Sequence, residues 1–274
     1  MSILFTGHKG FLGRELIPAL SMLDEIVVFD GDLLDFEAVR IFAEKCSVTK
    51  IFHAAARGGR RNKVETPSTL QNNVQVTTNI LRLDLPTLLI CSGAVYNREK
   101  SIDVATERKS LDSFPTDFYG QSKFITTALA RNRDDCRILR FFNVFGITEG
   151  IDRFITFNIS QYIKHEPMLI FSDFEMDFFF VQDALPAVNS WMAGDAIPNE
   201  MNMVYRSKFL LSEICTIINT LADYSVPIIR ERDEKGKNYT GDGQLLESLG
   251  FPQLGLEGGI LNMYHLLLNA DGRD

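Results

Sequence analysis

The chain is poor in the features that would place it outside an ordinary globular fold. Its four cysteines, Cys46, Cys91, Cys136 and Cys215, are far apart and include no Cys-x-x-Cys pair. Cys91 and Cys136 fall inside apolar runs, so the set reads as reduced core thiols, and a cytoplasmic setting is expected. The four histidines, His8, His53, His165 and His265, show no metal-ligand spacing, and no metal is expected. No charged N-terminal region leads into an apolar stretch, and no run approaches about 18 apolar residues, so neither export nor a membrane span is expected. Internal repeats and low-complexity tracts are absent as well.

Positive charge is also scarce. Lys and Arg number 28 against 36 Asp and Glu, a net charge of −8, which opposes nucleic-acid binding unless basic residues cluster. One cluster exists, Arg57, Arg60, Arg61 and Lys63 around Gly58-Gly59, too short for a nucleic-acid stripe. It reads as a solvated loop or an anion site.

What the chain has is length for a core, 274 residues that are 45% apolar, and an alternating pattern. Apolar, β-branched segments near 2–6, 25–29, 50–53, 87–92 and 137–142 alternate with helical patterns near 11–22, 34–45, 70–82 and 120–132. That alternation predicts a parallel sheet wrapped by helices, with Pro18 kinking or ending the first helix early. After residue 146 the alternation fails. A helical stretch at Phe154–Lys164, a strand near Met168–Phe171, the run Phe178-Phe179-Phe180-Val181 and a helix near 183–193 follow. An apolar helix pattern at Leu211–Leu221, a polar linker Glu231–Gly243 and a short helix before Gly250 complete the reading. The expected fold class is α/β, a Rossmann-type doubly wound parallel sheet over residues 1–150. A smaller C-terminal substrate-binding lobe takes 151–274, with about 177–205 returning to the first domain.

The first strand runs into Gly7, Gly10 and Gly13, the spacing that seats a dinucleotide pyrophosphate at the amino end of a helix begun by Phe11 and Leu12. Asp30 ends the second strand, where an acid can bond both ribose hydroxyls of NAD; Lys9 could instead meet the 2′-phosphate of NADP. Tyr119 and Lys123 share one face of a helix four residues apart. A phenol has a free pKa of about 10, and roughly 4 kcal/mol of preferential phenolate stabilisation would let it exchange protons at neutral pH, which a neighbouring ammonium can supply. Tyr96 and Lys100 repeat the spacing, but in a loop after a strand, so Tyr119 is preferred. Ser92 ends a central strand, where open α/β sheets place their sites, and its hydroxyl could bond a substrate oxygen.

In order along the chain these motifs resemble the extended short-chain dehydrogenase/reductases, specifically the NAD-dependent epimerase/dehydratase family acting on nucleotide sugars. The residues carrying the resemblance are Gly7-x-x-Gly10-x-x-Gly13, His53-Ala54-Ala55-Ala56, Asn73 to Leu81, Ser92-Gly93-Ala94-Val95-Tyr96, Tyr119-x-x-x-Lys123, Arg140 to Gly146 and Val181-Gln182-Asp183-Ala184. The resemblance implies Ser92, Tyr119 and Lys123 as the catalytic set. It implies a cofactor, NAD or else NADP, held by Gly7, Lys9, Gly10, Phe11, Leu12, Gly13, Asp30, Asp32, Leu33, Ala54, Ala55, Ala56, Asn73, Tyr119 and Lys123. Ser92, Asn143, Arg153 and Arg206 would bind a nucleotide-sugar substrate, and a homodimer would pair through helices near 72–82 and 120–132.

Within the family, Gly7-His8-Lys9-Gly10 and Ala54 to Gly59 look most like the GDP-fucose synthase branch, with departures. The positions of that branch's extra cysteine and histidine hold Ala94 and the vicinity of Arg153. The acidic pair of the 4,6-dehydratases is Gly93-Ala94, and the family's arginine before Asp-Phe is Met176. What remains is hydride exchange at a sugar carbinol or ketone, a 4-epimerase or a 4-ketoreductase. The alternatives are a non-catalytic nicotinamide-binding sensor or scaffold, and a dehydrogenase of a small non-nucleotide alcohol.

Overall fold

Residues 2–59 and 64–270 are described by a computed structural model. Strand β1 (Ser2–Thr6), all buried, leads through the glycine turn into α1 (Phe11–Leu20). The helix continues past Pro18 to Leu20, because a proline this near the end removes only one late-turn hydrogen bond. β2 (Glu25–Val28) and α2 (Phe36–Lys45) follow, α2 being capped by Asp35, whose carboxylate accepts the Ala38 N–H at 3.1 Å. β3 (Val48–His53), α3 (Pro67–Leu81), β4 (Thr87–Ser92), the short β5 (Ile102–Ala105), α4 (Phe118–Arg131) and β6 (Cys136–Phe141) complete the alternating half.

The remaining elements are β7 (Val144–Phe145), α5 (Phe154–Ile163), β8 (Met168–Ile170), β9 (Phe179–Phe180), α6 (Leu185–Ala193) and β10 (Glu200–Met203). They continue with α7 (Leu211–Ile218), β11 (Ile228–Arg230), β12 (Tyr239–Gly241), α8 (Gln244–Ser248) and α9 (Gly255–Ala270). The main sheet is parallel throughout, in the order β2-β1-β3-β4-β6-β10. This is the Rossmann-type α/β fold. The chain steps outward from β1 to β2, then returns to β3 on the other side of β1, which opens a crevice at the carboxyl ends of β1 and β3. β2 and β10 form the two edges of the sheet.

One apolar cluster packs α1, α6 and α8 on one face of the sheet, and two others pack α2, α3 and α4 on the opposite face. Phe5 and Phe52, register partners on β1 and β3, stack with ring centroids 4.3 Å apart. Val181, Ala184, Ala187, Val188 and Trp191 of the returning segment belong to the first of these clusters, as do Met201 and Met203 of β10. A further cluster forms among α5, β8, α7 and α9 around Ile159, Tyr162, Ile214 and Ile260. The two short ladders β5–β12 and β7–β9 cross between these regions and position the site.

Candidate active site

A cavity of about 180 Å³ opens at the carboxyl end of β4, lined by Ser92, Tyr119, Asn143, Arg153, Arg98 and Tyr239 over a floor that includes Leu12, Phe141 and Phe142. Ser92 ends β4, and its Oγ accepts the Ala94 N–H at 3.2 Å, opening a 3-10 turn over Gly93–Tyr96. Tyr119 stands in the first turn of α4. The Asp117 carboxylate caps that helix through the Gly120 N–H at 2.7 Å, and Glu65 accepts the Tyr119 N–H at 3.0 Å. Lys123, one turn on, is buried at 7% exposure, donates to Ile90 O at 2.9 Å, and lies 5.6 Å from the Tyr119 ring centroid. The fold thus brings the hydroxyl, the phenol and the ammonium together.

The competing pair is taken apart. Tyr96 is buried, its hydroxyl between Thr106 O at 3.1 Å and Asn202 Oδ1 at 3.0 Å, while Lys100 is exposed. Arg140, fully buried, contacts that hydroxyl at 3.3 Å and pairs with Glu200 at 2.7 Å, so this end of the sheet holds a structural polar network. Burial pushes the Tyr96 phenol up to about 12.

At the crevice, Gly7 has φ of +80°, and a Cβ there would lie 2.8 Å from Ala55 N. Only glycine lets the turn seat so closely on Ala54-Ala55. Gly10 N–H returns to Gly7 O at 2.9 Å, and Gly10 precedes α1 with extended backbone and no side-chain cap. The first N–H groups of α1 therefore have no side-chain acceptor at the cap, the arrangement that suits a phosphate. Beneath the turn, His53 is buried between Thr6 Oγ1 at 2.6 Å and Thr77 Oγ1 at 3.1 Å, and burial, with the Lys123 charge, pushes its pKa down to about 3.

The other expected residues have partners of their own in the fold. Asp30 does not stand alone at the strand end: it pairs with Lys9 at 2.6 Å and His8 at 3.1 Å, both from the glycine turn, and the Lys9 bond lowers its pKa. Asp32 accepts the Leu34 N–H at 2.9 Å, and Leu33 O receives Asn79 Nδ2 at 3.0 Å, so these two shape the turn after β2. Asn73 uses its whole amide on the Arg57 backbone, at 2.8 Å in both directions, and on Ser122 Oγ at 3.0 Å. It latches the Arg57 loop to α4. Of the two arginines expected to bind substrate, Arg153 lines the cavity, beside Glu149 at 3.7 Å, whereas Arg206 pairs with Asp242 at 3.4 Å and is absent from the cavity wall. Burial pushes the Glu149 carboxyl up to about 7 against the bonds from Thr156 and Arg153. Arg60, Arg61 and Lys63 lie outside the described residues.

Two site residues escaped the sequence reading. Arg98 donates to Asp117 at 2.7 Å and approaches Glu65 at 4.0 Å, tying together the two carboxylates that hold the start of α4. Tyr239 enters from β12, inside the stretch read as a polar linker. Nothing in the local pattern marks either residue, since both reach the site through tertiary contacts.

A glycine turn at the switch point of a parallel sheet, with a Tyr-x-x-x-Lys helix and a strand-end serine at its side, defines a dinucleotide-binding protein of the extended short-chain dehydrogenase/reductase class. The chain belongs to the NAD-dependent epimerase/dehydratase family, whose profile matches residues 3–203. Among curated relatives, ADP-L-glycero-D-manno-heptose-6-epimerase of Pseudomonas paraeruginosa is 28% identical over 182 residues, 55% of this chain and 53% of that protein. The match thus spans about half the length of that relative. GDP-6-deoxy-D-talose 4-dehydrogenase of Aggregatibacter actinomycetemcomitans is 26% identical over 202 residues, 67% of each. Among solved structures, UDP-glucose 4-epimerase from Thermotoga maritima with UDP-glucose covers 98% of this chain and 99% of its own at a TM-score of 0.82 and 18% identity, a likeness of fold. Nicotinamide dinucleotide is the family's cofactor, and among the described residues no helix is long and apolar enough to cross a membrane.

Proposed function

We propose that the chain is an NAD(P)-dependent nucleotide-sugar 4-epimerase or 4-ketoreductase. The observation that carries this reading is that Ser92 and Tyr119 line one cavity at the carboxyl end of β4, with the Lys123 ammonium 5.6 Å from the Tyr119 ring centroid. The glycine turn fits a dinucleotide, because its close seat on Ala54-Ala55 and the uncapped start of α1 leave the backbone N–H groups to the pyrophosphate. Gly7, Gly10, Phe11, Leu12 and Gly13 would hold the phosphates. Asp30, Asp32, Leu33 and Lys9 would meet the adenosine end, and Ala54 to Ala56, Tyr119 and Lys123 the nicotinamide half. Bound there, the nicotinamide would supply hydride exchange at a carbinol carbon.

The chain's own residues handle the oxygen. In the reducing direction Ser92 donates a hydrogen bond to the carbonyl oxygen, and Tyr119 passes its proton to that oxygen as the carbon gains hydride. Lys123, fixed by Ile90 O, keeps a positive charge beside the ring while proton transfer proceeds. Oxidation runs the same transfers in reverse. Asn143 and Arg153 line the substrate side, and we assign residues 151–274, apart from the returning segment near 177–205, to substrate binding. A homodimer through α3 and α4 follows from family resemblance. The position-4 reading is supported by the name of the Aggregatibacter relative, a GDP-sugar 4-dehydrogenase. A small-alcohol dehydrogenase is the second reading, favoured by Met176 and by the pairing of Arg206 with Asp242 away from the cavity.

The experiment is a screen of UDP-, GDP-, ADP- and dTDP-sugars with NAD and NADP, and of their 4-keto forms with NADH and NADPH, following the reduced-nicotinamide band and the sugar product. A ketoreductase consumes the band; a 4-epimerase converts the sugar with no net change. No conversion of any nucleotide sugar, with no binding of nucleoside diphosphates, would sink the nucleotide-sugar reading and leave the small-alcohol one.

A further inference from the structure

The wall of the cavity opposite Tyr119 contains a second phenol that the proposed mechanism does not use. Tyr239 opens β12, whose backbone is pinned on both sides: its N–H goes to Glu175 O at 2.9 Å, and its carbonyl accepts the Asp177 N–H at 3.1 Å. Asp177 is itself locked. It is buried, held by Lys208 at 2.8 Å, and accepts the Gly241 N–H at 2.7 Å. The Tyr239 ring packs against Phe142 with centroids 4.9 Å apart, and Phe142 packs in turn on Tyr96 at 5.6 Å. A ring held this way has little freedom to swing out.

Its hydroxyl reaches the cavity beside Gly93, the residue that follows Ser92. The phenol lines the cavity with Ser92, Tyr119 and Arg98. A Cβ at Gly93 would lie 2.7 Å from Tyr239 Oη and 2.6 Å from Phe142 Cδ1. The dehydratases of the resembling family carry an acidic pair at Gly93-Ala94. Here any side chain at position 93 and the Tyr239 phenol would claim the same space.

Resting on the nucleotide-sugar reading above, we propose that Tyr239 is a substrate-binding and specificity-determining residue, its hydroxyl completing with Ser92 a two-pronged site for the oxygen on the reacting carbon. Ser92 alone fixes that oxygen along one direction. A second hydroxyl fixes it along two, which sets the angle at which Tyr119 meets it and selects for sugars that carry oxygen at this carbon. Because Tyr239 comes from β12, the oxygen site is complete only when the C-terminal elements are packed against the sheet. Burial pushes the Tyr239 phenol well above its ordinary pKa, despite nearby Arg98 and Ser92, so it stays protonated and can donate.

The test is Tyr239→Phe, which keeps the ring and its Phe142 packing, with folding checked by thermal melting. The sugar is the one the unaltered chain turns over, beside its analogue lacking the oxygen at the reacting carbon. Tyr239→Phe should lose about 10- to 100-fold in kcat/KM, the scale of a hydrogen bond to a polarised oxygen. Its affinities for NADH and for the deoxy analogue should stay within twofold of the unaltered chain. An unchanged kcat/KM would overturn the proposal, and so would an equal loss of affinity for the deoxy analogue, which would make the phenol mere packing. If the unaltered chain converts no nucleotide sugar, the parent reading fails and the proposal with it, a result distinct from both.

Discussion

Acid should weaken this protein through His53, and the magnitude follows from where that imidazole sits. His53 ends β3 directly under Ala54-Ala55, fully buried, with Thr6 and Thr77 on its two nitrogens, and its pKa falls from 6.5 to about 3. The unfolded chain binds a proton at this residue below pH about 6.5, whereas the folded chain refuses it until about 3, so stability must decline as pH falls through that window. The decline is about 1.4 kcal/mol per pH unit, and roughly 3 to 5 kcal/mol across the whole range. Set against a typical total of about 5 to 15 kcal/mol, this is a large share. Urea unfolding at pH 7.5, 6, 5 and 4 would measure it on the unaltered chain and on His53→Gln, which keeps a donor and an acceptor but does not titrate. The difference between the two should change by at least about 2 kcal/mol between pH 7.5 and 4, the histidine chain falling faster. Parallel curves would refute the reasoning. NADH affinity of the folded chain should hold across the same window, because the native imidazole stays neutral under the Ala54-Ala55 segment on which Gly7 rests.

Two further outcomes follow from the site geometry. Gly59 has φ of +78°, and a Cβ there would lie 2.9 Å from Tyr119 Cζ, so Gly59→Ala should displace the phenol and cut kcat by tenfold or more while NADH binding changes little; a kcat within twofold of the unaltered chain would contradict this. Lys9 and Asp30 pair at 2.6 Å, both largely exposed, so Lys9→Ala should weaken NADPH more than NADH and Asp30→Ala should weaken NADH more than NADPH, as measured by titration of cofactor fluorescence. Equal effects on both cofactors would place the pair away from the adenosine ribose.

Local pattern revealed much of this molecule, and the reason is range. The strand-end glycines, Ser92 and the Tyr119–Lys123 spacing all express their geometry within one turn or one strand end, and the alternation through residue 142 is periodic over long segments. The elements that escaped are short or irregular. β5 and β12 are four and three residues long, too short for a period to show, and β12 lies in a charged stretch that read as linker. α9 carries Gly258 and Gly259, poor helix formers, yet Gly259 is fixed by the close approach of Phe180, a contact 79 positions away in sequence. β10 looks unremarkable alone and becomes a sheet strand only by pairing with β6.

The same limit explains the site. Arg98 and Tyr239 meet Ser92 through turns and lobe packing that no spacing encodes. The positions of Asp30 and Asn73 permit a cofactor role, and the sequence does not show the partners that the fold gives their side chains. Asp30 found the lysine of its own glycine turn, and Asn73 the backbone of the Arg57 loop.

The most direct test of the central claim is sugar conversion by Tyr119→Phe, measured beside its NADH affinity. Loss of the phenol hydroxyl should lower turnover by about 10² to 10⁴-fold, the usual share of a positioned acid–base group, with the cofactor bound as tightly as before. Turnover within a few-fold of the unaltered chain would mean that the proton travels by another route, and the account of Ser92, Tyr119 and Lys123 as one catalytic unit would be wrong.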